Sequence, residues 1–428
     1  MMFECRVSGL ISGLSPIAEV ATHAIIKDYS GLDKINLSVK DDCLMVSAFN
    51  GRVSAVNEIS EITANDLEYK STSNGDVTVG AKNLISALES FSQEELLVIK
   101  LNKVDGGGQE LVISKKSDSD EYQTLPCYDK KVTIPEQATE YGIELTVDKD
   151  IFVASFQKIK FAIGFEDNNP KYLHYVLFVD SNNNQMRYVA GTGGRFAVLD
   201  IETKTLFQLQ NKKNAEFLFP KESLLAIHKI LHSIECEKII ISKTKANEKN
   251  AQMLFTVGSV KIIFIELDKS ITYPDVADII DVEDISNKFI MSIDDWALIG
   301  KGIAATYDED MKKESRIHRA SIKTTDNGET FIVESNDIMK ASRKINIIDK
   351  EVKSDIERIC ISPYLKEIAK HGKGNVQVEI DNANSKPVVI RYHASEKVQS
   401  FKDIKMLNES LDMSERFSIF FVTCNQNG

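Results

Sequence analysis

Residues 186–199 read MRYVAGTGGRFAVL, and residues 43–56 read CLMVSAFNGRVSAV. Each is an alternating run, a turn ending in Gly-Arg (Gly51-Arg52 and Gly194-Arg195), and a second alternating run. The step from Gly51 to Gly194 is 143 residues. The same step beyond Gly193 reaches Asn336, inside FIVESNDIMKAS, a strand–turn–strand pattern that has lost the Gly-Arg. An internal period of this length constrains the architecture more than any single motif.

Other signals recur in the same order. A strand pattern runs into an apolar helix at 3–25, at 143–165 and at 288–307. A second strand–helix–strand follows at 77–101, 216–243 and 357–380, with Leu84, Leu224 and Leu365 in corresponding places. Further strands close each third, at 110–125, 253–271 and 387–422. Leu84, Ile85 and Leu88, and Leu224, Leu225, Ile227, Ile230 and Leu231, fall at helical spacing. Period-two alternation and Asn/Gly turns such as 182–184 and 106–108 fill most of the rest. The repeat is of ordinary domain size and too long for a solenoid. The predicted class is α+β, with three tandem similar domains at 1–135, 142–275 and 285–428, each with two helices packed on one sheet face. Residues 135–141 and the acidic 275–284 are the predicted linkers.

With 428 residues, 43% of them apolar, the chain can bury several cores. Its longest apolar runs are far too short to span a bilayer, and no basic region followed by an apolar stretch opens it, so no membrane partner is expected. Six dispersed cysteines without a CxxC suit free thiols in a reducing cytoplasm. The net charge of −12 argues at first against nucleic acid. The proposed helices are nevertheless mildly basic in sum and the remainder strongly acidic, a weakly segregated field. Lysine far outnumbers arginine, which suits point contacts to phosphate better than bidentate reading of bases.

Four further stretches sharpen the pattern: VAGTGGRFA at 189–197, Tyr273-Pro274-Asp275-Val276, Thr124-Leu125-Pro126 and Pro387-Val388-Val389-Ile390. In this order, on a threefold repeat, they resemble the bacterial sliding clamp, the β subunit of DNA polymerase III. The resemblance implies a DNA-clamp fold with curved antiparallel sheets. It implies a non-enzymatic processivity factor: a head-to-tail homodimeric ring around double-stranded DNA, without sequence preference, helices lining the hole. It implies no cofactor. Lys27, Lys82, Lys158, Lys221, Lys229, Lys301, Lys366, Lys370 and Lys373 are then candidates to face DNA. Sparse, sequence-blind lysine contacts suit a ring held by topology rather than by a tight site.

The resemblance also implies a groove between the second and third domains, where the replicative polymerase and the clamp loader dock short linear motifs. Leu173, Gly193, Arg195, Phe196, Pro274, Ile279, Pro387, Phe420 and Val422 match its lining. An extended peptide with apolar anchors requires such a slot with a few polar guides. Several positions depart from the family pattern: Gly194 replaces a histidine, Gly191 and Thr192 a threonine and an aspartate, and Asp278 a basic residue. Charged, partly helical text at about 401–415 precedes the last strand. For ring closure the matching residues are Tyr122 on one side and Ala305 and Thr306 on the other, a poorer apolar interface. This motivates a second reading, a clamp-fold peptide-binding module that does not encircle DNA.

Residues 191–194 also suggest a phosphate loop, a third reading in which the chain is an enzyme acting on a nucleotide. Such loops open a helix, whereas Phe196–Ile201 continues as a strand, so a hairpin turn fits better. His228, His232 and Cys236, at i, i+4 and i+8, suggest zinc but lack a fourth ligand. Asp308 and Asp310 read as a solvated loop rather than a magnesium site, and Asp294-Asp295 as helix N-terminal charge. No catalytic constellation and no metal site is expected.

Overall fold

The computed structural model describes residues 1–22, 32–60, 68–104, 106–129, 134, 137–138, 140–163, 174–192, 195–203, 207–244, 252–265, 282, 285–304, 319–335, 342–361, 373–382, 386–393, 398–410 and 414–421. Strand β1 (Met2–Arg6) runs into α1 (Val7–Thr22), followed by β2 (Lys34–Lys40), β3 (Cys43–Phe49), β4 (Val53–Ser60), β5 (Lys70–Ser73) and β6 (Gly75–Gly80). Helix α2 (Ala81–Glu89) leads to β7 (Leu96–Lys103), β8 (Gln109–Lys115) and β9 (Tyr122–Pro126).

The order then repeats. It runs β10 (Ile143–Asp148), α3 (Lys149–Ile159), β11 (His174–Asp180), β12 (Gln185–Thr192), β13 (Arg195–Glu202), β14 (Phe207–Gln210) and β15 (Asn214–Pro220). After α4 (Lys221–Ser233) come β16 (Lys238–Lys243), β17 (Gln252–Val257) and β18 (Val260–Ile265). The third pass is β19 (Asn287–Ser292), α5 (Ile293–Ala304), β20 (Arg319–Thr325), β21 (Thr330–Ser335), β22 (Ser342–Ile345), β23 (Ile347–Glu351) and β24 (Glu357–Ile361). It ends with β25 (Asn375–Ile380), β26 (Val388–Tyr392), an extra helix α6 (Phe401–Ser410) and β27 (Ser414–Phe421). The helix predicted around Leu365, within 357–380, falls almost wholly outside the described residues.

Pairing repeats as well as order. In each pass the first strand pairs with the fifth and seventh, and the seventh, eighth and ninth run on in series. The second pairs with the third and sixth, and the third with the fourth. All the registers are antiparallel, so each sheet can alternate an apolar face with a polar one. Strand β2 does so: Ile35, Leu37 and Val39 are buried while Lys34, Asn36 and Ser38 are half-exposed. Helix α2 buries Ala81, Leu84, Ala87 and Leu88 and turns Lys82, Asn83 and Ser86 outward, the stripe its spacing predicts.

The chain forms two compact units. One comprises Met1–Val153, Leu206–Lys212 and Phe219–Asp268; the other comprises Ala154–Thr205, Lys213–Leu218 and Lys269–Gly428. The first holds a five-stranded sheet, β5-β1-β7-β8-β9, and a nine-stranded one, β14-β10-β16-β17-β18-β4-β3-β2-β6. In the latter the fourth strand of the first pass meets the ninth of the second, as in Ala55↔Ile262. The second unit holds a four-stranded sheet, β22-β21-β20-β24, and a nine-stranded one, β15-β11-β12-β13-β27-β26-β25-β19-β23. There the fourth strand of the second pass meets the ninth of the third, as in Phe196↔Phe420. Among the described residues, no helix is long and apolar enough to cross a membrane.

The hairpin registers correct one expectation. Asn50 N–H donates to Val53 O, leaving Gly51-Arg52 as the two loop residues, with Gly51 at φ 97°. In the second pass Thr192 pairs with Arg195, so Arg195 is already a strand residue. The two Gly-Arg pairs are therefore offset by one place. Arg195 corresponds to Val53, and Phe196 to Ser54. In a strand one place exchanges faces, so the shift decides where both side chains go.

Candidate functional site

In the nine-stranded sheet of the second unit, the registers set Gly191, Phe196, Phe420, Val389 and Glu379 in one row across β12, β13, β27, β26 and β25. The next row on the same face is Val189, Val198, Ser418, Arg391 and Gln377. Beyond it, Phe178, Arg187, Asp200 and Arg416 form a third. Polarity thus rises along the strands and toward β25.

The apolar end is a cluster of Val189, Phe196, Val198, Ile285, Val389 and Phe420, with Phe178 and Val282 packed against it. Phe196 and Phe420 are 2% and 1% exposed, so both serve as core side chains. Pro387, just before β26, is buried as well. The Phe196 ring lies over Gly191, where a Cβ would come within 2.1 Å of its Cδ1. A strand-interior glycine commonly marks such a close approach.

Ion pairs flank the cluster. Arg187 grips Asp200 with Nε at 2.7 Å and Nη2 at 3.3 Å. Arg391 grips Glu379 with Nε at 2.8 Å and Nη2 at 3.0 Å, and Nη1 donates to Ser418 Oγ at 3.2 Å. The Arg391 guanidinium stands 6.0 Å from the Phe420 ring centre. Glu379 is buried, and its bidentate arginine offsets the cost of burying its charge. Nearby, burial and the positive charge of Arg391 push the His393 imidazole down to about 4.

Arg195 lies on the opposite face. Its Nη2 donates to Phe161 O at 2.6 Å, and its guanidinium lies 5.6 Å from the Phe161 ring centre. That face also holds Tyr175, in edge contact with Phe156 of α3. Of the groove candidates, Phe196, Phe420 and Pro387 are thus found near one apolar cluster and Arg195 behind the sheet. Leu173, Gly193, Pro274, Ile279 and Val422 lie outside the described residues. Sequence reasoning missed Ile285, Val389, Gly191 and the Arg391–Glu379 pair. The alternation of β26 was the available signal for Val389 and Arg391.

Among the candidate DNA-facing lysines, Lys82, Lys229, Lys301 and Lys373 are exposed and Lys221 is half-buried. Lys158 is ion-paired with Glu415. Lys27, Lys366 and Lys370 lie outside the described residues. Within the observed bounds of α1–α5, basic and acidic side chains balance; Lys27, Lys160, Lys366, Lys370 and Lys373, which carry the expected mild excess, lie outside those bounds. Tyr122, 60% exposed, sits on the sheet-edge strand β9, while Ala305 and Thr306 lie outside the described residues.

Gly191 and Thr192 end β12 and Arg195 opens β13, so no helix begins after this stretch and the anion-binding geometry of a phosphate loop is not formed. Helix α4 ends at Ser233, and Ile234 is extended, so Cys236 leaves the face that carries His228 and His232. Among the described residues no group of three or more His, Cys, Asp or Glu is placed to hold a metal.

Among the described residues, three passes of nine strands, joined edge to edge at β4–β18 and β13–β27, define the sliding-clamp fold. Solved structures with this fold include the β subunit of DNA polymerase from Streptococcus pyogenes, at 15% identity and a TM-score of 0.72 over 100% of both chains. The DNA polymerase III subunit β of Pseudomonas aeruginosa aligns at 14% identity and a TM-score of 0.73 over 99% of this chain and 100% of that one. The DNA polymerase sliding clamp of Bacillus subtilis aligns at 14% and 0.73, over 100% and 99%. No family model and no curated protein matches the sequence.

Proposed function

We propose that the chain is a divergent bacterial-type sliding clamp: a non-enzymatic homodimer that encircles duplex DNA and tethers polymerase and loader through short peptide motifs. One observation carries this reading. The fourth strand of one pass joins the ninth strand of the next at both internal junctions. The same rule leaves two strands over, β22 as the fourth of the last pass and β9 as the ninth of the first, and both are sheet edges. Joining β22 of one copy to β9 of the next continues the pattern, and two copies head to tail make a ring of six repeats. The domains would run 1–135, 142–275 and 285–428.

Edge chemistry supports such a joint. Strand β22 exposes Ser342, Arg343 and Lys344, while Asp118, Asp120 and Glu121 lead into β9. Opposite charges at two strand edges favour pairing in one orientation. The joint has little apolar surface, so the dimer would be weak and salt-sensitive.

Balanced charge on α1–α5 fits a ring that holds DNA by topology, since few lysines would neutralise phosphates and few counterions would be released. The peptide site would lie against the cluster around Phe196, Val389 and Phe420, whose buried side chains would form its floor. At the equivalent junction of the first unit, the buried Ser54 and Ile263 take the places of the two phenylalanines, and Ser54 Oγ donates to Ile263 O. A clamp-fold binding module that does not encircle DNA is the second reading, favoured by the scant apolar surface at those two edges.

The deciding experiment loads the chain with a clamp loader onto nicked circular DNA and follows retention before and after linearisation. Retention on circles with loss on linear ends is expected. Equal loss from both refutes the ring.

A further inference from the structure

Helix α4 places His228 and His232 one turn apart, with ring centres 4.5 Å apart and planes at 76°. Their Nε2 atoms approach to 3.3 Å. His228 is buried and His232 exposed, so the pair opens to solvent on one side only. Two imidazole nitrogens bound to one tetrahedral ion at roughly 2.05 Å are separated by about 3.3–3.4 Å. The pair already holds that spacing. The i, i+4 helix repeat fixes both rings on one face, so little ordering is needed on binding.

We infer that His228 and His232 chelate a divalent late transition-metal ion through their two Nε2 atoms, water completing the shell. Imidazole selects copper(II), nickel and zinc over magnesium and calcium. With no third protein ligand among the described residues, the site is open and exchangeable rather than a closed structural one. Each neutral ring then keeps its one N–H on Nδ1 and presents a bare Nε2, so a second proton on either ring competes with the metal. The inference does not depend on the clamp reading, because it requires only the turn of α4.

The test is calorimetric titration of the untagged full chain with copper(II), nickel, zinc and magnesium, near neutral pH and near pH 5. One equivalent is expected to bind, in the order copper over nickel and zinc, with no magnesium heat and loss of affinity at the lower pH. His232→Gln, at an exposed position, is expected to weaken nickel binding at least tenfold. His393→Gln, on the other unit, is expected to leave it unchanged. Equal affinity in His232→Gln and the parent chain overturns the assignment, as does absence of binding up to millimolar nickel.

Discussion

Phe196 lies across Gly191 on the neighbouring strand, so closely that a methyl group at position 191 would stand 2.1 Å from Cδ1 and 2.8 Å from Cγ of the ring. The contact reaches the root of the ring, so the ring cannot swing aside cheaply. Gly191→Ala is expected to destabilise the chain by about 1–3 kcal/mol through overpacking. Phe196→Ala leaves a cavity and costs about 3–5 kcal/mol. The double variant should cost clearly less than the two losses together, because the methyl then fills part of the space. Urea denaturation of the three variants checks this, and simple additivity would show that the two residues do not meet.

The Arg391–Glu379 pair gives a second cycle. Arg391→Met strands a buried carboxylate and is expected to cost roughly 3 kcal/mol. Adding Glu379→Met should recover most of it, since two apolar side chains of similar size require no compensation. If Phe420 belongs to a peptide site, Arg391→Met should also weaken a leucine- and phenylalanine-bearing peptide more than the double variant does. Denaturation midpoints and fluorescence anisotropy measure the two effects.

Much of the fold is legible in the sequence because a repeat supplies three independent readings of one pattern. The helical stripe of Leu84 and Leu88 and the alternation of β2 are local, and local signals survive without an alignment. Strand neighbours across the junctions are not local. Nothing in the text of residues 195–198 or 417–420 announces that Phe196 pairs with Phe420, more than two hundred residues away. The one-residue offset between the Gly-Arg pairs was equally hidden, since Gly51-Arg52 and Gly194-Arg195 look alike and only the register tells loop from strand. The consequence is large: Arg195 serves the helix side and Phe196 the outer cluster. Gly191, which departs from the family text, is explained by the ring that covers it.

At the β9 edge, the alternation of bonds decides which residue can be changed. Lys115 N–H donates to Glu121 O and Cys127 N–H to Gln109 O, so odd-numbered residues of β9 face β8 and the N–H of Tyr122 and Thr124 points away. Pro126 already occupies an outward place, where its missing donor costs nothing. Thr124→Pro is therefore expected to fold normally, with a thermal midpoint near that of the parent. It should shift any dimer toward monomer by at least tenfold in sedimentation equilibrium. An unchanged dimer with Thr124→Pro would place the joint elsewhere.

His393 sets an acid limit on stability. Its imidazole is half-buried beside Arg391, and burial first, then the arginine's charge, hold it near 4 against an ordinary 6.5, while Glu379 pulls the other way. Between these values the unfolded chain takes up a proton that the folded chain refuses. Stability therefore falls as pH drops from about 6.5 to about 4, and the loss is complete below the folded value. Solvent reaching the ring limits the effect to about 2–3 kcal/mol at its largest. The rest of the chain titrates too, so the informative quantity is a difference. His393→Gln should lose less stability than the parent between pH 7 and pH 4.5, measured as urea midpoints. Parallel pH profiles for the two proteins would mean that the imidazole is freely protonated in the fold.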